Sequence, residues 1–112
     1  MSEARIPIEA RDGGIYLPEA DLWLDPSRKK PLAFVSHAHG DHFAPHDETI
    51  CSRPTRALVR ERFRKKGAYH ELDYGQVMER AGHVLELFPA GHTLGSAQIL
   101  VTRQADGASL IY

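Results

Sequence analysis

Cysteine is almost absent: Cys51 stands alone in 112 residues, which excludes an internal disulfide framework. Its neighbours Thr49 and Ile50 read as strand, so Cys51 is expected to be a small buried residue and not a nucleophile. Excess charge is missing too. With a net charge of −1 the protein lacks the strongly basic body that attracts nucleic acid through its bulk field, so any such signal must be local. No apolar run approaches membrane-spanning length, and residues 1–12 hold no apolar core of a secretory signal. A cytoplasmic protein with no membrane partner is expected, and nothing in the sequence speaks to oligomeric state. Internal repeats, low-complexity tracts and linkers are also missing. What remains is an ordinary globular composition, 42% apolar and 26% charged, in a chain that is at most one domain and short for a complete two-layer enzyme.

Short apolar stretches separated by turn residues dominate. Residues 6–8, 15–17, 22–24 and 32–35 read as strands, with a hairpin at Asp12-Gly13 and a break at Asp25-Pro26. The run 32–35 is continuously apolar and too short for a helix, as expected of a strand buried on both faces. Residues 54–66 turn helical: Leu58, Val59 and Phe63 fall on one face, Pro54 suits a first turn, and Gly67 follows as a stop. Residues 69–72, 76–78, 84–88, 97–101 and 109–112 then read as strands. The expected class is α/β, strand-rich with one clear amphipathic helix, with Trp23 and Phe34 in the core.

The strand 32–35 runs into Ser36-His37-Ala38-His39-Gly40-Asp41-His42, which places four metal-ligating side chains within six positions. A strand gathers i and i+2 on one face and a helix i and i+4, so neither period collects all four and the segment is expected to be an irregular loop. Gly40 suits such a loop, and Asp41 could open a short helix as its N-cap. Imidazole and carboxylate together suit zinc or a similar borderline divalent ion, and a thiolate site is excluded because Cys51 lies elsewhere. Two histidines one residue apart can grip a first ion, while the adjacent Asp-His pair is displaced towards a second.

The string His37-Ala38-His39-Gly40-Asp41-His42 resembles the H-x-H-x-D-H signature of the metallo-β-lactamase superfamily, and Gly91-His92-Thr93-Leu94-Gly95-Ser96-Ala97-Gln98 resembles the element that carries its next histidine ligand. Residues 89–97, and Leu22-Trp23-Leu24-Asp25-Pro26 ahead of the cluster, are similar to the branch containing RNA 3′-end-processing nucleases, DNA cross-link-repair nucleases and ligase-associated DNA exonucleases. The resemblance implies the N-terminal half of an αββα sandwich. It also implies two zinc ions, or manganese in their place, with His37, His39 and His92 on the first ion and His42 and Asp41 on the second. Asp41 is the implied catalytic carboxylate, orienting a di-zinc-activated hydroxide towards a phosphodiester. Relatives carry a Thr-Gly-Asp element, with an aspartate that bridges the ions, and a last histidine. Neither lies within residues 1–112, which are therefore expected to form a partial domain truncated before that element.

His46, His70 and His83 fall outside these motifs and receive no role. Residues 53–66 hold seven basic side chains against Glu61, and Arg56, Arg60 and Arg64 form an i, i+4 stripe that could contact the phosphates of a nucleic-acid substrate or simply be a solvated face. Three functions compete: a metal-dependent nuclease, a small-molecule hydrolase of thioesterase or lactamase type, and an inactive metal-binding fragment. The tail of the His92 motif favours the first.

Overall fold

The computed structural model describes residues 5–37, 46–63, 68–91 and 96–112, with helix side chains described as far as Leu58. Among these, ten strands and one helix follow in the order β1 (Glu9–Arg11), β2 (Gly14–Leu17), β3 (Leu22–Leu24), β4 (Leu32–Phe34), β5 (Glu48–Ser52), α1 (Arg53–Phe63), β6 (Ala68–Leu72), β7 (Val77–Arg80), β8 (His83–Pro89), β9 (Ala97–Arg103) and β10 (Ser109–Ile111). They form a six-stranded sheet, β1 to β6 in sequence order, and a four-stranded sheet ordered β10-β9-β8-β7.

The first sheet changes character along its width. β1, β2 and β3 pair antiparallel, whereas β3, β4, β5 and β6 run parallel, so the carboxyl ends of these last four strands lie along one edge. β4 is flanked by parallel partners on both sides and is buried throughout, as its unbroken apolar run predicts. β5 is joined to β6 through α1, whose first turn is capped by the Ser52 hydroxyl accepting from the Thr55 amide at 3.3 Å.

The Asp12-Gly13 hairpin forms as expected. Asp12 and Gly13 have φ of 48° and 76°, the two positive values of a type I′ turn. Gly13 is needed for space as well, because a Cβ there would sit 2.2 Å from Ser27 Oγ. This turn fixes the register Arg11↔Gly14 and Glu9↔Tyr16, which moves the first strand from the expected residues 6–8 to Glu9–Arg11. Ile6 instead plugs the core and Ile8 is exposed. Leu58 also departs from expectation: it is 40% exposed, and among the described helix side chains the fully buried one is Thr55.

Leu17, Leu22, Leu24, Leu32, Phe34, Ile50 and Leu72 from the first sheet form one cluster with Leu85, Leu87, Ala97, Ile99 and Val101 from the second. Each fully buried leucine or isoleucine there contributes about 1.5–3 kcal/mol. Strict alternation in β8 and β9 supplies the inward face of the second sheet. Trp23 and Phe34 are core residues as expected, and so is Cys51, whose thiol burial pushes up to about 12. α1 packs against β5 and β6, giving a two-sheet sandwich with a helix on one side.

Candidate metal centre

Active sites on parallel sheets collect at the carboxyl ends of strands, where the chain leaves the ladder and side chains point into open space. Here Asp25 directly follows β3, and Val35-Ser36-His37 directly follow its parallel neighbour β4. Asp25 has φ of 47°, a left-handed conformation that lets its amide donate to the Phe34 carbonyl at 2.8 Å while its carboxylate turns across the strand ends. Oδ1 accepts from the Ser36 amide at 2.8 Å, and Oδ2 accepts from both the Ser36 hydroxyl and the Tyr112 hydroxyl, the latter at 3.0 Å. Ser36 Oγ lies 2.7 Å from His37 Nδ1.

Three hydrogen bonds are donated into Asp25, two from Ser36 and one from Tyr112, so the single Ser36 hydroxyl proton is committed to the carboxylate. Ser36 Oγ must then accept from Nδ1–H of His37, which makes Nε2 the acceptor nitrogen of the ring. That is the form of imidazole that ligates a divalent metal. The half-buried His37 therefore carries its proton in the pattern that a ligand bound through Nε2 would need.

The described residues on either side of 92–95 lie close to Ser36. Ala97 N donates to Ser36 O at 2.8 Å, Ala90 N donates to Ser96 O at 3.1 Å, and Tyr74 OH donates to the same Ser96 carbonyl at 3.2 Å. One hydrogen bond thus separates the residue before His37 from the strand that follows His92. His39, Asp41, His42 and His92 themselves lie outside the described residues. Among the described residues no group of three metal-ligating side chains converges.

His46 is 3% exposed, and its Nδ1 accepts from the Lys30 amide at 3.0 Å. Burial, with the nearby Lys30 charge adding to it against Asp25 and Asp47, pulls this imidazole down to about 4. Lys30 also pairs with Asp12 and lies 3.9 Å above the Trp23 ring, so the turn before β4 is fastened on both sides. His70 lies 2.9 Å from Glu48, and the buried His83 donates from Nδ1 to the Ala81 carbonyl at 2.7 Å.

The basic stripe is only partly described. Arg56 is mostly buried, lying 3.8 Å above the Tyr69 ring and 3.8 Å from Glu71, and Arg53 pairs with Asp73 at 3.1 Å. Arg56 is thus engaged within the fold. The Arg60 side chain and Arg64 lie outside the described residues. Tyr112 escapes a reading of the motifs, and Asp25, though within the string Leu22-Trp23-Leu24-Asp25-Pro26, receives no role from it. An aspartate directly after a buried strand beside the histidine cluster is the one sequence signal that marks Asp25.

No family model matches the chain. It is 45% identical over 100 residues to a protein named "Probable DNA ligase" from Opitutus terrae, an alignment covering 88% of the chain and 10% of that protein. Among solved structures it is similar to a HARLDQ-motif mutant of a metallo-β-lactamase from Cronobacter sakazakii, with a TM-score of 0.67 and 19% identity over 88% of this chain and 54% of that one. A further mutant of the same Cronobacter sakazakii protein gives 0.67 and 20%, over 88% and 56%. The chain has the metallo-β-lactamase fold. Its two sheets and outer helix span about half of those structures, at 54% and 56% of their lengths, and a tenth of the ligase-named relative. Within this fold Asp25 follows β3 and Ser36 and His37 follow β4, with the Ser36 carbonyl accepting from Ala97 N.

Proposed function

We propose that the protein is a metal-dependent hydrolase of phosphodiesters in nucleic acid, acting in the cytoplasm, with residues 1–112 forming part of a longer catalytic domain. The observation that carries this reading is the Ala97–Ser36 hydrogen bond at 2.8 Å, which ties the strand after His92 to the residue before His37 and so supports one shared metal centre. Support for a nucleic-acid substrate comes from the ligase-named relative and from the nuclease-like string at residues 89–97.

In this reading His37, His39 and His92 hold a first zinc ion and Asp41 and His42 a second, with manganese as the alternative metal. When bound, such a pair supplies a water acidified towards neutral pH and positive charge for the phosphodiester oxygens. His37 presents Nε2 in its ligating form because Ser36 holds Nδ1–H. Asp41 orients the attacking water and is the catalytic carboxylate.

The full-length gene product, loaded with zinc or with manganese, should cleave end-labelled DNA or RNA and leave a chromogenic lactam and a thioester nearly untouched. Asp41→Ala should abolish cleavage without altering the melt of the metal-free protein. Turnover of the lactam or thioester with no nucleic-acid cleavage would overturn the substrate assignment in favour of a small-molecule hydrolase.

A further inference from the structure

From the hydrogen-bond chain Tyr112–Asp25–Ser36–His37 we infer that Ser36 and Tyr112 are positioning residues that fix the tautomer of His37 and thereby set the metal affinity of the centre. The inference deepens the metal reading of His37 and rests on it. Histidine in water populates both neutral tautomers, and a site that needs Nε2 as the ligand must hold the proton on Nδ1. A carbonyl or carboxylate commonly does this directly. Here the acceptor is a hydroxyl, which can accept or donate, so its direction must itself be set. Asp25 sets it. Oδ2 takes the Ser36 hydroxyl proton, leaving Ser36 Oγ as an acceptor 2.7 Å from Nδ1.

Tyr112 is the outer anchor of this chain. It comes from the opposite sheet, where its backbone exchanges both hydrogen bonds with Ile99, at 3.0 and 3.1 Å. Its ring meets Phe34 edge-on at 6.3 Å, and its hydroxyl reaches Asp25 Oδ2 at 3.0 Å. Burial and the adjacent carboxylate push the phenol well above its ordinary range, so it remains a donor at any working pH. The second sheet thus holds Asp25 Oδ2 in place, Asp25 orders the Ser36 proton, and Ser36 orders the imidazole. The relay runs from one layer of the sandwich to the other and ends on the residue that opens the metal motif.

Two measurements on the full-length gene product test this. In the metal-free protein, nitrogen NMR of His37 should show the Nδ1–H tautomer. Ser36→Ala should give a mixture, Ser36→Thr should restore the wild-type pattern, and Tyr112→Phe should shift it part-way. Zinc affinity, measured by competition with a chromogenic chelator, should fall about ten- to a hundred-fold in Ser36→Ala and less in Tyr112→Phe, with the metal-free melt of Tyr112→Phe close to wild type. An Nε2–H tautomer in the wild type, or an unchanged pattern and affinity in Ser36→Ala, would overturn the relay. A wild type that binds no zinc but shows the expected tautomers would instead overturn the metal reading and leave the relay standing.

Discussion

His46 makes the acid stability of this fold predictable. It sits where the chain rejoins β5, with Nδ1 accepting from the Lys30 amide and 3% of its surface exposed. Protonating that nitrogen would place a charge in the core and turn an acceptor against an N–H donor. The unfolded imidazole takes its proton near 6.5, whereas burial holds the folded one down to about 4. Between these values the unfolded state binds more protons, so stability falls as the pH falls. The contribution is fully present above pH 6.5 and gone below about 4. At about 1.4 kcal/mol per tenfold, that window corresponds to about 3 kcal/mol. The assay is urea unfolding of the chelator-treated full-length protein at steps between pH 7 and 4, alongside His46→Asn, whose Oδ1 keeps an acceptor for Lys30 but cannot titrate. The variant should lose some stability at pH 7 and show the shallower pH dependence. Parallel pH profiles for the two proteins, or an NMR midpoint for His46 near 6.5, would refute the reasoning.

If the proposed assignment of His37, His39 and His92 to the first ion holds, metal analysis of residues 1–112 after dialysis should find about one tight divalent ion, lost in His92→Ala. Two tight ions, or binding indifferent to His92, would break that ligand assignment. Arg56→Ala should lower stability by about 1 kcal/mol through loss of the Tyr69 stack and leave the salt dependence of nucleic-acid binding unchanged, which salt titrations would check. Gly13→Ala should destabilise by more than 1 kcal/mol, since it combines φ of 76° with a Cβ contact at 2.2 Å, and a thermal melt within a degree of wild type would contradict this. Expressed alone, the 112-residue chain should aggregate or melt without cooperativity, because β10 ends as an exposed edge; a sharp cooperative melt of a soluble monomer would count against it.

Most of the fold is written locally. Strands β2, β3 and β4 lie where apolar runs meet turn residues, and the first hairpin follows from Asp-Gly alone, since only such pairs accept two positive φ values cheaply. The turn that joins β7 to β8 carries no such signal, although both strands are legible. It is Ala81-Gly82 with φ of 48° and 75°, and alanine at the first position marks no turn. Tertiary context there forces a conformation that propensity disfavours. Ile6 misled the placement of β1 because a residue buried by packing looks identical to one buried in a strand. Leu58 misled the helix face in the opposite way, as an apolar side chain at helical spacing that the fold leaves exposed.

The candidate site divides along the same line. Ligand types crowd a short string because a metal needs several donors at once, so His37 and its neighbours declare themselves by density. The groups that orient them do not, because each comes singly from a distant part of the chain. Asp25 lies 11 residues before Ser36, and Tyr112 lies 87 residues beyond Asp25. Only the parallel register of β3 against β4 sets Asp25 beside Ser36, and only the face-to-face packing of the two sheets carries Tyr112 to Asp25. The same packing aligns Ala97 with Ser36, so one geometric event both sets the strand that follows His92 against Ser36 and orders the His37 imidazole. A substitution that shifts the sheets relative to one another should therefore disturb metal binding before it unfolds the chain, because the relay depends on distances between layers and the core depends only on their contact.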